Sequence, residues 1–436
     1  MDTLRFDLTK QSGPFKIMNA VNNGPIHRRH STDQWRSNFE TYKAARIPYA
    51  RNHDAAFCAT YGGEHSVDIT AIFPDFDADP YDPASYDFAC TDEYTLVTLD
   101  AGTETFYRLG QKIEHYIKKY GTIPPKDFKK WAVICEHIIR HYNEGWANGY
   151  HLNIKYWEIW NEADLDPDDS PNKRTWGGTA LQFFDLYSIT AKHLKTCFPD
   201  LKIGGPAFAG DFKWLDAFLA EMRLQEVAID FFSWHIYCVE PAQMLAHNDK
   251  IKAHLVKYGY ENAENILNEW NYVRGWTDEF VYSIEQIIGI KGAAFIMACM
   301  TAAQQSDIDM LMYYDAQPGT FNGLFDIYTL RPLKGYYPFL WYGNFYDLKA
   351  EIRSENTLEN IYSLCGCDES GKLTTILTYY TDNDEAETKT FSVDFGKDSL
   401  YDIYLLDAEH DGTLVDTASD LTFTMQANTC LLIREK

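Results

Sequence analysis

Short apolar segments alternate with amphipathic segments eight times between residues 15 and 345. The apolar segments have the length and the β-branched or aromatic composition of buried strands. The segments between them space their apolar residues as helices do, and the longest predicted helix is 280–305. Eight strand–helix units in this order predict an α/β fold, a (β/α)8 TIM barrel. The predicted strands are 16–21, 47–51, 105–109, 154–160, 201–205, 229–237, 265–269 and 309–314.

The pattern changes after residue 345. Short segments with alternating apolar and polar residues follow one another, separated by turns rich in Asp, Asn, Ser and Gly. Residues 3–9 alternate in the same way. We therefore predict a catalytic barrel from 15–345 and an accessory antiparallel β-sandwich from 1–14 plus 346–436. The predicted sandwich strands after the barrel are 359–366, 373–381, 387–395, 400–406, 421–425 and 429–434.

The composition favours a neutral ligand. The 436 residues include 39 Lys and Arg against 64 Asp and Glu, which gives a net charge of −25. This balance argues against nucleic acid or an anionic membrane as a partner, since both bind basic surfaces. No apolar run approaches the ~20 residues of a membrane span. Aromatic residues make up 15% of the chain, which favours a protein that binds carbohydrate or another flat ligand.

The nine cysteines show no ligand or disulfide pattern. Most lie far apart, and Cys365 and Cys367 are separated by one residue, which is the wrong spacing for a zinc or redox pair. We expect free thiols in a reducing compartment. The first residues lack the order of a secretory signal, so we expect a cytoplasmic protein. The sequence leaves the oligomeric state open, a homo-oligomer included.

A glutamate follows the fourth predicted strand. The apolar run 154–160 ends abruptly at Asn161 and Glu162. In a barrel of this kind, the carboxyl ends of the strands carry the catalytic groups. A lone glutamate at this position is equally expected as a helix cap.

A second glutamate, Glu269, ends the seventh predicted strand and is flanked by Asn268 and Trp270. Two carboxyl groups at strand ends suit glycoside hydrolysis, in which one protonates the leaving oxygen and the other attacks or activates water. The neighbouring aromatic side chains suit a sugar, whose C–H faces stack on rings. The pair therefore predicts a glycosidase.

On these residues, the chain resembles the retaining glycoside hydrolases of the large barrel clan that carry the acid/base after strand four and the nucleophile after strand seven. More narrowly it resembles family 39, which includes β-xylosidases and α-L-iduronidases. One departure is Ala163, which stands where that family usually has proline. The matching stretches are 157–165, 204–206, 233–237 and 267–271.

The resemblance implies that Glu162 is the general acid/base and Glu269 the nucleophile, with no metal and no cofactor. Retention requires about 5–5.5 Å between the two carboxyl groups, whereas inversion requires about 6.5–9.5 Å. The pKa of Glu162 should be raised by burial and by the charge of Glu269. The substrate would be a plant-type oligosaccharide or glycoside cleaved in the manner of a β-xylosidase, with xylose, galactose, arabinose, glucose and uronic acids all open.

The resemblance also implies a set of substrate-binding or orienting residues. Asn161 would bond the sugar 2-hydroxyl, and Trp276 and Tyr314 are candidate platforms for the ring. For His53 and Tyr314, a plain wall residue is an equal expectation. The full set is Arg51, His53, Asn161, His235, Tyr237, Trp276 and Tyr314.

Two other functions fit parts of the sequence. A non-catalytic carbohydrate-binding protein on the same barrel would keep the aromatic residues but has no need of both glutamates. A metal-dependent barrel hydrolase would use His27, His30, His53 and Asp54. Those side chains follow different strands and lack the paired spacing of metal ligands.

Overall fold

The computed structural model describes residues 1–29, 37–53 and 67–436. Within these ranges a short strand, β1 (Asp2–Arg5), precedes eight parallel strands that close into a barrel in chain order. Each barrel strand lies within a few residues of a predicted one, which confirms the (β/α)8 fold. The barrel strands are β2 (Ile17–Asn22), β3 (Tyr49–Arg51), β4 (Glu104–Leu109), β5 (Tyr156–Ile159), β6 (Lys202–Phe208), β7 (Phe231–Cys238), β8 (Glu264–Tyr272) and β9 (Met310–Tyr313).

Helices surround the barrel, and one of them differs from the prediction. The predicted helix 280–305 is two helices bent by 78° at a break after Ile287. Gly292 permits the bend, because a Cβ there would lie 2.6 Å from the carbonyl oxygens of Gln286 and Ile287. The helices are α1 (Phe39–Ala44), α2 (Ile69–Ile72), α3 (Ala89–Asp100), α4 (Phe128–Glu144), α5 (Ala180–Cys197), α6 (Phe212–Leu224), α7 (Pro241–Tyr258), α8 (Phe280–Ile287), α9 (Ile290–Gln304) and α10 (Tyr336–Phe345).

Apolar side chains fill the amino-terminal half of the barrel. They come from alternate positions of the strands and form a continuous cluster, so this end is a packed core rather than a pore. The site at the other end therefore rests on a solid floor. The buried members are Ala20, Tyr49, Phe106, Tyr156, Phe231, Ile266, Met310 and Met312.

The carboxyl-terminal region forms two further sheets in the described residues. One has the order β10-β11-β12-β17-β14-β15 and the other β1-β13-β16. Neighbouring strands are antiparallel except β1 and β13, which are parallel. The strands are β10 (Ala350–Glu351), β11 (Ile361–Cys367), β12 (Leu373–Tyr379), β13 (Lys389–Asp394), β14 (Tyr401–Leu406), β15 (Asp411–Ala418), β16 (Thr422–Met425) and β17 (Thr429–Glu435).

The sequence missed strand β15. It lies at the edge of the larger sheet and is mostly exposed, so it lacks the inward apolar alternation by which strands are recognised. The division of the chain at residues 14 and 346 stays a prediction, although β1 joins a sheet of the carboxyl-terminal region.

Within the described ranges, no single helix is long and apolar enough to cross a bilayer, and α8 and α9 reach that length and composition only as a bent pair. The cysteines of the same ranges are free thiols, and most are buried.

Candidate active site

A layer of charged and polar side chains lies above the apolar floor. Arg51 at the end of β3 and Glu158 in β5 are both fully buried, and Arg51 Nε donates a hydrogen bond of 2.7 Å to Glu158 Oε2. The other oxygen of Glu158 accepts from Ser233 Oγ at 2.6 Å and from Asn268 Nδ2 at 2.5 Å. Buried charges persist when they are paired and hydrogen-bonded in this way. The layer ties four strands together under the site.

Arg51 directs its remaining nitrogens toward residues of β2 and β8 and toward the residue pair that follows β5. Nη1 donates to Asn22 Oδ1 at 3.1 Å and lies 3.4 Å from Glu269 Oε2, and Nη2 donates to Asn161 Oδ1 at 2.6 Å. Arg51 therefore differs from the predicted substrate contact. Its side chain is wholly buried because Glu158 holds it beneath the glutamates. The amide nitrogen of Asn161 has no hydrogen-bond partner among the described residues.

Glu162 sits in an unusual backbone segment just after β5. Trp160 has φ +73° and Glu162 has φ +50°, in the left-handed region that non-glycine residues seldom adopt. Two contacts hold this conformation. The amide of Glu162 donates to the carbonyl oxygen of Ala207 at 3.0 Å, and Thr175 Oγ1 donates to the carbonyl oxygen of Glu162 at 2.6 Å. Backbone strain of this kind concentrates at functional sites.

The segment after Glu162 is held in place although Ala163 stands where proline is usual in family 39. Ala163 is buried, and the next residue, Asp164, anchors the chain. Its carboxylate accepts hydrogen bonds of 2.9–3.1 Å from the backbone amides of Ala209, Gly210 and Asp211. These bonds fasten the loop after β5 to the loop after β6.

Glu269 is presented by an irregularity in β8. Leu267 pairs with Trp234 of β7. Glu269, two residues on, pairs with His235, which is the very next residue of β7. Asn268 is thus the extra residue of a β-bulge, a feature often found beside active sites. The bulge lets Asn268 bond Glu158 below while Glu269 faces the barrel mouth.

The two glutamates converge on His235. Its Nδ1 lies 2.8 Å from Glu162 Oε1 and 3.5 Å from Glu269 Oε2. An oxygen of each carboxyl group and a ring nitrogen of His235 all lie within 4.8 Å of one another. This approach of their oxygens favours the short carboxyl separation of about 5–5.5 Å that retention needs over the ~6.5–9.5 Å of inversion.

The surroundings of Glu162 favour its protonated form. Burial raises the pKa of Glu162 to about 7, against the opposing positive charges of Arg51 and Arg174. Burial also lowers the pKa of His235, so its imidazole is neutral near pH 7. A neutral partner orients Glu162 without pulling its proton away.

Glu269 has more groups that favour its ionised form. Burial raises its pKa too, but His235, Arg51 and a hydrogen bond from Tyr237 oppose this rise. Tyr237 Oη donates that bond to Glu269 Oε1 at 2.6 Å. These surroundings favour the ionised form at Glu269 and the protonated form at Glu162.

Aromatic side chains form one wall beside Glu269. The Tyr237 ring lies 5.0 Å from that of Trp276, nearly perpendicular to it, and Trp276 is 59% exposed. Phe321 lies 6.1 Å from Trp276 and 5.8 Å from Tyr314. The Tyr314 ring is 6.0 Å from His53. The structure thus brings four of the predicted residues together and adds Phe321, a loop residue for which the sequence gives no signal.

Two donor clusters in the described residues are compact enough for a metal ion. His27 belongs to neither, and its Nδ1 lies 3.1 Å from Ser37 Oγ. His30 and Asp54, named for the metal-dependent alternative, fall outside the described ranges. The expectation that no metal is needed stays a prediction. The clusters are Glu162–His235–Glu269 and Glu136–His193–Cys197.

Apart from Arg51, the sequence analysis did not assign the residues of the polar layer to the site. Glu158 had a signal in the sequence, since a charged residue within an apolar run is rarely buried without a partner. Asn22, Ser233 and Asn268 had none, because polar residues near strand ends are common.

The model of Glycosyl hydrolases family 39 matches residues 30–280, which is more than half of the chain. The chain belongs to glycosyl hydrolases family 39. In this family-39 chain, the matched range includes both glutamates and the bulge of β8.

Named relatives share shorter stretches. A beta-xylosidase of Geobacillus stearothermophilus is 28% identical over 160 residues, which cover 36% of this chain and 29% of the relative. A beta-xylosidase of Caldicellulosiruptor saccharolyticus is 30% identical over 156 residues, 34% of this chain and 27% of the relative. The matched stretch thus spans less than a third of either relative. A solved glucosidase from Croceicoccus marinus has a TM-score of 0.80 at 21% identity, covers 100% of this chain and 99% of its own, and shares the fold.

Proposed function

We propose that the chain is a retaining glycosidase that hydrolyses O-glycosidic bonds by double displacement, with a β-xyloside of a plant-type oligosaccharide or glycoside as substrate. The approach of Glu162 and Glu269 to within 4.8 Å carries this proposal. Membership of family 39 and the two beta-xylosidase relatives support it and favour xylose as the sugar.

In the first step, Glu269 attacks the anomeric carbon. The new carbon–oxygen bond forms as the bond to the leaving oxygen breaks, and Glu162 gives its proton to that oxygen. Glu269 is held for attack by Tyr237 and by Arg51 beneath it. The raised pKa of Glu162 keeps the required proton in place near neutral pH.

In the second step, water releases the sugar. Glu162, now ionised, takes a proton from a water molecule that attacks the anomeric carbon, and Glu269 leaves as a carboxylate. Two inversions give a product with the configuration of the substrate. The pKa of Glu162, raised to about 7, suits both roles, because the group can hold and accept a proton at the same pH.

The walls of the site have the character of a sugar subsite. Arg51 holds the side-chain oxygen of Asn161, so the amide nitrogen of Asn161 would donate to a hydroxyl beside the anomeric carbon. Trp276 presents an exposed ring next to Tyr237, suited to stack on a sugar face. These contacts explain how a neutral ligand would be held by a strongly acidic chain.

The test is a panel of aryl glycosides assayed with wild type, Glu269→Ala and Glu162→Ala, each with and without azide. We expect wild type to release xylose, and both variants to lose activity. Azide should rescue Glu269→Ala as a glycosyl azide of inverted configuration. With a good leaving group, it should rescue Glu162→Ala as an azide of retained configuration, because the first step there needs little protonation.

Glu285→Ala is the control, since that glutamate is exposed on α8. Identical azide products from both variants would refute the assignment of the two roles. A wild type that cleaves no glycoside yet binds xylose would overturn the enzymatic proposal in favour of a non-catalytic carbohydrate-binding protein.

A further inference from the structure

A loop of the carboxyl-terminal sheets reaches the mouth of the barrel. Residues 380–384, which we name the clamp loop, are the first part of the connection between β12 and β13. Tyr380 at its start is fully buried, and its hydroxyl donates to the carbonyl oxygen of Val239 at 2.5 Å. The amide of Asp382 donates to Glu240 Oε1 at 2.8 Å. Both barrel residues follow directly after β7, the strand that carries Tyr237.

Asp382 also holds the segment after β8. Its Oδ1 accepts from Tyr272 Oη at 2.5 Å, from Arg274 Nη2 at 2.9 Å and from Lys291 Nζ at 3.2 Å. Its Oδ2 accepts from Arg274 Nε at 3.1 Å, so the arginine fork is bound at two points. A single aspartate of the clamp loop thus contacts the end of β8, the loop after it and α9.

These contacts are sheltered from solvent. The Asp382 side chain is 18% exposed and that of Lys291 is 4% exposed, while Tyr272 is fully buried. Ion pairs in such surroundings are screened less than surface pairs, and a missing partner leaves buried charges uncompensated. Arg274 is further held by its amide, which donates to Ser283 Oγ at 2.9 Å.

The held segment leads to the wall of the candidate site. Trp276 lies two residues beyond Arg274, and its ring contacts Tyr237, whose hydroxyl bonds Glu269. Because Trp276 is 59% exposed, the core does not fix its position. The clamp loop contacts the chain on both sides of this wall, after β7 and after β8.

We propose that Asp382 is a positioning residue that sets Trp276 against Tyr237 and thereby determines how tightly the sugar ring beside Glu269 is bound. The region after the barrel then contributes to substrate binding as well as to the stability of the fold. The expected effect on substrate binding rests on the proposed glycosidase activity, whereas the expected effect on the position of Trp276 does not.

The first measurement is hydrogen–deuterium exchange in the intact protein. Asp382→Asn keeps the shape of the side chain and removes one of the two carboxylate charges, with that of Asp384, that bind Arg274 and Lys291. We expect faster exchange at residues 273–280 in this variant, with the barrel strands unchanged. The control is Glu385→Gln, which removes an exposed charge just outside the clamp loop. Equal exchange in Asp382→Asn and wild type would overturn the proposal, whatever the substrate.

The second measurement is steady-state kinetics on the best aryl glycoside. The hydrogen bonds from Arg274 and Lys291 lose the negative charge of their acceptor in Asp382→Asn, so KM should rise about tenfold while kcat changes less than about threefold. In a Trp276→Ala background the same substitution should have no further effect on KM. Additive effects would show that Asp382 does not act through Trp276. If wild type cleaves nothing, the proposed function fails, and the same comparison is made on xylose affinity.

Discussion

Replacing Tyr237 by phenylalanine removes one hydrogen bond to the nucleophile candidate and little else. Tyr237 Oη donates to Glu269 Oε1 at 2.6 Å. Burial raises the pKa of Tyr237 well above its usual range, so its hydroxyl keeps its proton throughout the working pH range. The bond stabilises the carboxylate form of Glu269 and opposes the rise in pKa that burial causes. Its loss must therefore raise the pKa of Glu269.

The size of that rise follows from the strength of the bond. A hydrogen bond to a charged group contributes about 1.5–3 kcal/mol, and 1.36 kcal/mol corresponds to one pKa unit. We expect the pKa of Glu269 to rise by about 1–2 units. Attack needs ionised Glu269, so the acid limb of the kcat/KM profile should move to higher pH by the same amount. The basic limb, which reports mainly Glu162, should move less, although the two groups titrate as a pair.

The assay is kcat/KM against pH on an aryl glycoside. Tyr346→Phe is the matched control, because its hydroxyl donates a bond of the same length, 2.6 Å, to Asn19 and not to a glutamate. An acid limb that stays in place in folded Tyr237→Phe would refute the reasoning. So would an equal shift in the control.

Three further substitutions probe the site and the fold. Glu158→Gln leaves the buried Arg51 without its main counter-charge. The substitution should therefore lower the free energy of unfolding by about 3–5 kcal/mol. A loss below about 1 kcal/mol, measured by urea titration, would contradict this prediction. Arg174→Met removes a positive charge that lowers the pKa of Glu162, so the basic limb of kcat/KM should move to higher pH, and a move to lower pH would count against it. Gly292→Ala places a Cβ 2.6 Å from two carbonyl oxygens of α8. We expect this substitution to lower the free energy of unfolding by about 1–3 kcal/mol and therefore to lower the Tm. An unchanged Tm would show that the Cβ does not come so close to these oxygens.

The high aromatic content of the chain says little about ligand binding. Most of the large aromatic side chains are buried in the core, among them Trp131, Trp157 and Trp234. Trp276 is the predicted sugar platform that is well exposed. A high aromatic content is therefore explained largely by packing between the strands and helices. The positions of individual rings at strand ends, and not the total, point to the site.

The sequence by itself determined the barrel strands and the two glutamates at strand ends. These follow from local patterns, because apolar periodicity marks a strand and its sudden end marks the mouth of the barrel. Only the tertiary structure decided what lies under and around them. Arg51 and Glu158 are 107 residues apart in the chain, and Asp382 and Arg274 are 108 apart. Such partners meet only when the barrel closes and the last sheets dock, since no local pattern records which distant charges will share a buried space.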